Sequence, residues 1–183
     1  MSDHATTYAN EEVQPYLGAD KLHARIAELG AEITALPHTD KPIILVAVLK
    51  GSFMFFADLL RHIDRPTNVG FLATSSYEGG TKSTGAVRLT LDLSEDISDR
   101  DVIIVEDIVD TGLTMDYLLG MLKARRPKSL RVCTLLHKPA REKVNVPLDF
   151  VGFTIDDVFV IGYGLDYDQR YRDLPFIGVM KFR

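Results

Sequence analysis

The stretch "DVIIVEDIVDTGLTMDYLL", residues 101–119, surrounds an apolar run with acidic side chains. The run "VIIV" is typical of a strand buried on both faces, and ionised carboxylates are almost never left unpaired in a protein interior. Glu106 and Asp107 therefore lie either at the rim of a sheet or in contact with a ligand that has complementary groups. The residues from 113 onward predict a helix, so the segment has the strand, loop and helix order of an α/β protein.

The rest of the chain repeats this alternation. Helical periodicity predicts helices over 19–36, 52–63 (with Ser52 as the N-cap) and 113–124. Apolar runs predict strands over 42–49, 68–77, 101–107, 129–137, 149–153 and 158–164, and the alternating segment 86–93 predicts an antiparallel strand. We therefore expect a single α/β domain, residues 1–183, with a mostly parallel central sheet and helices on both faces.

Composition excludes several classes of protein. The 183 residues include 46% hydrophobic and 26% charged residues, which is ordinary for a globular domain, and the net charge of −5 argues against nucleic-acid binding. Cys133 is the only cysteine, so an intrachain disulfide is impossible, and its apolar setting predicts a buried thiol. No apolar stretch approaches the roughly 20 residues that span a membrane. The polar, acidic N-terminus does not resemble a secretory or transit signal, so we expect a cytoplasmic protein.

The loop after the acidic strand, "DTGLT" (110–114), predicts an anion site. Gly112 permits close approach of backbone, Thr111 and Thr114 supply hydroxyls, and the first N–H groups of a helix attract phosphate. Neighbouring carboxylates repel phosphate, but a sugar phosphate removes the conflict because paired acids accept hydrogen bonds from its hydroxyls, and a shared Mg²⁺ offsets charge. The alternative is that the acids cap a helix or face solvent.

With the following helix, the segment "VIIVEDIVDTGLTM" resembles the phosphoribosyl-pyrophosphate signature of type I phosphoribosyltransferases, and the chain closely resembles the hypoxanthine-guanine phosphoribosyltransferases. The likeness extends over about residues 10–180 and includes "VLKGSFMFFADLL", "SSYEGGTKSTG", "LLHKPARE" and "DFVGFTIDDVFVIGYGLDYDQRYRDLPFIGV". It implies a small hood region, a flexible lid loop, and transfer of a phosphoribosyl group from phosphoribosyl pyrophosphate to N9 of hypoxanthine or guanine, a purine salvage reaction.

The resemblance also implies roles for individual residues. Ribose and the 5′-phosphate are assigned to Glu106, Asp107, Asp110, Thr111, Gly112, Leu113 and Thr114, with Asp110 also as the catalytic general acid/base at the purine N7. Pyrophosphate is assigned to Lys50, Gly51, Arg172, Ser76 and Tyr77, and the base to Lys138, Phe159, Val160 and Asp166. The expected cofactor is Mg²⁺, with Glu106, Asp107 and Asp166 as its ligands.

Three details accompany these assignments. In this family the peptide bond before Lys50 is often cis. Arg172 alone would also fit a surface ion pair with Asp173. Glu78 is acidic in a lid (75–85) that is expected to cover pyrophosphate, which leaves the lid's phosphate contacts undecided.

Two alternatives remain at this point. The first is a related transferase acting on xanthine or on a pyrimidine such as uracil. The second is a transcriptional regulator that binds phosphoribosyl pyrophosphate, although neither a DNA-binding domain nor a basic face is evident. The expected partners are phosphoribosyl pyrophosphate, a 6-oxopurine base and further copies of the chain in a homodimer or homotetramer, with no nucleic acid and no membrane.

Overall fold

The computed structural model describes residues 11–37, 40–76 and 87–182. Its central sheet has six strands, which lie in the order β4 (Val87–Leu91), β3 (Thr67–Ser76), β2 (Ile43–Leu49), β5 (Asp101–Val109), β6 (Ser129–His137) and β7 (Phe150–Thr154). Only β4 is antiparallel to its neighbour. Val105 of β5 lies beside Ala47 on one side and Cys133 on the other. The predicted mostly parallel sheet is confirmed, and so is the antiparallel pairing of the segment around β4.

Helices cover both faces of this sheet, because its central strands are apolar on both sides. Helices α1 (Ala19–Thr34) and α2 (Phe53–Arg61) pack on one face, and α3 (Leu113–Lys123) packs on the other. Residues 43–48 of β2 are completely buried. The predicted fold class is thereby confirmed. Cys133 is buried as expected, and burial raises the pKa of its thiol above the usual range.

A second, antiparallel sheet joins the two ends of the described chain. It contains β1 (Glu11–Leu17), β9 (Ile177–Phe182) and β8 (Val160–Ile161), with β9 in the middle. The predicted strand over 158–164 is therefore wrong in length and in sheet. Extended backbone stops at Ile161 because Gly162, Tyr163 and Gly164 all have positive φ angles. A role of this sheet as a hood, and the extent of the single domain, stay predictions.

The second predicted helix also differs in detail. Ser52 stands at the N-cap of α2, but its hydroxyl donates to the carbonyl of Val48 at 2.6 Å and caps no helix N–H group. This hydrogen bond ties the end of β2 to the start of α2 and so fixes the loop between them. Among the described residues, no helix has the length and apolar character needed to cross a membrane. Most of the predicted lid lies outside the described residues.

Candidate functional site

The predicted site residues converge where the parallel strands end. Lys50 and Gly51 follow β2, Asp110 follows β5, and Lys138 follows β6. The N–H group of Lys138 donates to the carbonyl of Val109 at 3.0 Å, which ties the last two loops together. Ligands of open α/β sheets bind at this edge, so the sequence-based placement of the site agrees with the fold.

A pocket forms around the loop between β5 and α3. It is lined by Glu106, Ile108, Val109, Asp110, Thr111, Gly112, Thr114 and Met115. Gly112 is the N-cap of α3 with a φ of +79°, and a Cβ atom there would lie 2.2 Å from the carbonyl oxygen of Val144. Position 112 thus requires glycine for its own backbone and for packing against Val144. The N–H groups of the first turn of α3 have no partner within the helix, which suits an anion.

The two acids at the end of β5 contact different parts of the site but are close enough to interact with each other. Glu106 lines the pocket on the α3 side, whereas Asp107 is buried against the loop after β2. Burial, together with the charge of Asp107 and a side-chain hydrogen bond with it, raises the pKa of Glu106 well above its usual range. Burial also raises the pKa of Asp107. Glu106 Oε2 is buried and has no hydrogen-bond partner within the described residues. Such a pair requires a cation or hydroxyl donors to be satisfied.

The loop after β2 touches the acid pair directly. A Cβ atom at Gly51 would lie 1.6 Å from Asp107 Oδ2, so only glycine allows this approach. A Cβ atom at Gly164 would lie 2.0 Å from the carbonyl oxygen of Gly51. The peptide bond between Leu49 and Lys50 is cis, as the resemblance implied. Three separate chain segments therefore meet at Gly51.

Arg172 is held by the turn that contains Gly164. Its guanidinium lies 2.7 Å from Asp166 Oδ1 and donates to the carbonyl of Gly164, also at 2.7 Å. The alternative pairing with Asp173 is not the one that forms. Gln169, which the sequence did not single out, accepts hydrogen bonds through Oε1 from Arg172 at 3.2 Å and from Lys50 at 3.5 Å. An uncharged acceptor thus links the two cations assigned to pyrophosphate.

The residues assigned to the base have unusual exposure for their types. Lys138 is 6% exposed, yet its ammonium group makes no hydrogen bond or ion pair with any described residue. Phe159 is 50% exposed, and its ring meets that of Tyr167 edge to face with a centroid distance of 5.9 Å. Val160 begins β8 and pairs with Val179. An ammonium group without a partner among the described residues and an open aromatic face both suit a polar, flat ligand.

Arg141 is a second residue that the sequence did not single out. It ends a 3₁₀ turn (Pro139–Arg141) directly after Lys138. Its Nε lies 3.2 Å from Asp110 Oδ1, and its Nη1 lies 3.6 Å from Asp157 Oδ1. A lone arginine in "KPARE" carries no signal of its own, because its contacts come from loops far apart in sequence.

Two of the predicted positions cannot be placed fully. Tyr77 lies outside the described residues, and only the backbone of Ser76 is described, at the end of β3 beside Val87. In the described ranges, no group of three or more His, Cys, Asp or Glu side chains could hold a metal ion by itself. The assignments of these residues and of the remaining site residues to particular ligand groups stay predictions.

A pocket with free helix N–H groups, flanked by paired acids and cations at the carboxyl edge of a parallel sheet, is the arrangement expected for a phosphoribosyl-transferring protein. The family model described as "Phosphoribosyl transferase domain" matches residues 18–168. The chain therefore belongs to the phosphoribosyltransferase family.

Individual relatives point to one branch of this family. The chain is 49% identical over 181 residues to the hypoxanthine-guanine phosphoribosyltransferase of Mycobacterium avium, covering 96% of this chain and 89% of the relative. It is 51% identical over 159 residues to the hypoxanthine phosphoribosyltransferase of Escherichia coli, covering 86% and 89%. A crystal structure of a hypoxanthine-guanine phosphoribosyltransferase from Bacillus anthracis matches with a TM-score of 0.86 and 41% identity, covering 92% of this chain and 99% of that one.

Proposed function

We propose that this chain transfers the 5-phosphoribosyl group of phosphoribosyl pyrophosphate to N9 of hypoxanthine or guanine, giving IMP or GMP and pyrophosphate. The names of the relatives support this reaction, as does their coverage of nearly the whole chain. The observation that carries the proposal is the contact between Gly51 and Asp107. It brings the loop assigned to pyrophosphate against the acids assigned to ribose, which are the two groups joined by the bond that breaks.

Two groups of residues bind different parts of the sugar phosphate, namely the loop after β5 and the acid pair at the end of β5. Residues 110–114 hold the 5′-phosphate through the N–H groups at the start of α3 and the hydroxyls of Thr111 and Thr114. Glu106 and Asp107 accept hydrogen bonds from the ribose 2′ and 3′ hydroxyls. The unpartnered Glu106 Oε2 supports this role, because a hydroxyl donor supplies the hydrogen bond that the protein does not.

The acid pair also fits Mg²⁺. Both carboxyls are destabilised as anions by burial, so a nearby cation would favour their charged forms. When bound, Mg²⁺ offsets the charge of the pyrophosphate group, and it typically uses only one or two protein carboxylates together with substrate oxygens. Asp166 fits less well, since Oδ1 already pairs with Arg172 and Oδ2 accepts from the Gln169 N–H group at 2.8 Å. Its assignment as a ligand rests on the resemblance.

The chemical step needs one proton transfer and charge stabilisation. The purine N9 attacks C1′ of the ribose, the bond from C1′ to the pyrophosphate oxygen breaks, and the N7 proton passes to the Asp110 carboxylate. Lys50 and Arg172 stabilise the departing pyrophosphate. Glu106 and Asp107 provide negative potential beside the sugar, whose ring becomes cationic as the bond breaks.

The base is held by three further residues. The Lys138 ammonium donates to the exocyclic O6, which favours an oxo group over the amino group of adenine. The exposed ring of Phe159 stacks on the purine, and the Val160 backbone contacts its pyrimidine edge. Ser76 and Tyr77 close over pyrophosphate as part of the lid, and the chain forms a homodimer or homotetramer. These last roles are supported by the resemblance.

The test is a turnover assay with phosphoribosyl pyrophosphate and Mg²⁺, with hypoxanthine, guanine, xanthine, adenine and uracil supplied in parallel. We expect nucleotide and equimolar pyrophosphate from hypoxanthine or guanine, and none from adenine or uracil. Turnover restricted to xanthine or uracil would overturn the base assignment. Binding of phosphoribosyl pyrophosphate without any turnover would point to the regulatory alternative, which a gel-shift experiment would then examine.

A further inference from the structure

We propose that Arg141 is a positioning residue that exchanges its ion pair between Asp110 and Asp157 as the base enters the site. This inference rests on the proposed function. In the structure the guanidinium lies between the two carboxylates, 3.2 Å from Asp110 and 3.6 Å from Asp157. All three side chains are partly exposed, with Arg141 48% exposed. The contacts can therefore exchange without a large desolvation cost.

The position of Arg141 connects the parts of the base pocket. Its N–H group donates to the carbonyl of Lys138 at 3.1 Å, so it belongs to the same turn as the lysine assigned to O6. Asp110 lies in the loop assigned to proton transfer, and Asp157 lies two residues before Phe159, the proposed stacking ring. One guanidinium thus bridges the loops on either side of the purine.

The contact with Asp110 is electrostatic and poorly directed. Asp110 Oδ1 is buried and makes no hydrogen bond of acceptable geometry within the described residues, although Arg141 Nε is close to it. To accept the N7 proton, this carboxylate must turn toward the base and leave the guanidinium. Asp157 offers Arg141 a second carboxylate, so the exchange leaves neither charge alone. Before the base arrives, the same pairing holds Asp110 in place.

Asp157→Asn removes the second carboxylate and leaves Arg141 on Asp110. We expect kcat/KM for the base to fall about three- to tenfold, while calorimetric affinity for phosphoribosyl pyrophosphate stays within twofold of the unmodified protein. Asp156→Asn is the matched control, because this neighbouring exposed acid makes no side-chain contact with Arg141. It removes the same charge and should leave kcat/KM within twofold.

Arg141→Met supplies the decisive comparison. In the double variant with Asp157→Asn and Arg141→Met, the cation that holds Asp110 is gone. Its kcat/KM should therefore rise above that of Asp157→Asn and equal that of Arg141→Met alone. The inference is overturned if Asp157→Asn behaves like Asp156→Asn, or if the double variant is no faster than Asp157→Asn. Absence of turnover in the unmodified protein would instead count against the proposed function, so the two failures are distinguishable.

Discussion

Gly51 packs its α-carbon directly against the carboxylate of Asp107, and a Cβ atom at position 51 would lie 1.6 Å from Asp107 Oδ2. The carbonyl of the same glycine packs against Gly164, whose turn anchors Arg172. The strand-end acids, the loop after β2 and the arginine turn are therefore one packed unit. Displacing any one of them should disturb the others.

Gly51→Ala tests this unit. The added methyl group forces Asp107 or the loop to move, so we expect affinity for phosphoribosyl pyrophosphate to fall at least about tenfold and stability to fall by about 1–3 kcal/mol. Calorimetry and thermal unfolding measure the two effects. Gly120→Ala is the control, since nothing lies within 4 Å of a Cβ atom at that helical position. It should raise stability by about 0.5–1 kcal/mol and leave binding unchanged. Similar effects of both substitutions would contradict the packing argument.

Glu106→Gln tests the cost of the buried acid pair. Because burial raises the pKa of Glu106 above its ordinary value of 4.5, the folded protein favours the protonated carboxyl. The protonated Glu106 carboxyl contributes fully to the stability of the fold below pH 4.5. This contribution is lost as the pH rises through the raised pKa that Glu106 has in the folded state. The ligand-free variant should therefore melt above the unmodified protein at pH 8, by about 2–4 °C for each kcal/mol gained.

The difference in melting temperature should vanish as the pH approaches 4.5. Glu28→Gln, at an exposed position on α1, should show no such pH-dependent gain. Equal pH dependence of the unmodified protein and Glu106→Gln would show that the carboxyl is not destabilised by burial. Since Glu106 is also assigned to ribose, the variant should bind phosphoribosyl pyrophosphate more weakly while being more stable.

Lys138→Met should separate base binding from sugar-phosphate binding. The lysine has no partner among the described residues, so a methionine of similar length removes no contact within them and should leave the melting temperature nearly unchanged. A hydrogen bond from a charged group contributes about 1.5–3 kcal/mol. KM for hypoxanthine or guanine should therefore rise tenfold or more, with calorimetric affinity for phosphoribosyl pyrophosphate unchanged.

Lys143→Met is the matched control, because this lysine is exposed in the same connection and its side chain makes no hydrogen bond or ion pair with the described residues. It should alter neither the melting temperature nor KM for the base. An unchanged KM in Lys138→Met would remove Lys138 from the base pocket.

The elements with strong local patterns were predicted well, and those that depend on distant partners were not. The strand Ser129–His137 has the predicted bounds, since an apolar run bordered by polar residues specifies a buried strand. β1 was missed because its sequence "EEVQPYL" is polar and contains Pro15. It forms through pairing with β9 at the opposite end of the chain. No local pattern reports such a partner.

The site divides in the same way. Some site residues were predictable because their motifs combine residue types that suit phosphate binding or catalysis. These residues are Asp110, Gly112 and Lys50, and the fold brings them to one edge of the sheet. Arg141 and Gln169 gain their roles only from tertiary contacts with Asp110 and Lys50. The acid pair Glu106 and Asp107 is evident in the sequence, but the packing of Gly51 against Asp107 arises only from tertiary structure.

The most direct test of the central claim is Asp110→Asn, examined by single-turnover kinetics and by calorimetric binding of phosphoribosyl pyrophosphate with Mg²⁺. The amide keeps the shape of the side chain but cannot take the N7 proton. General acid–base catalysis contributes about 10²–10⁴-fold in rate, so we predict a loss of that order in turnover, with binding affinity within threefold. Equal losses of turnover and of binding would contradict the assignment of Asp110 as the proton-transfer group and would make it a binding residue only.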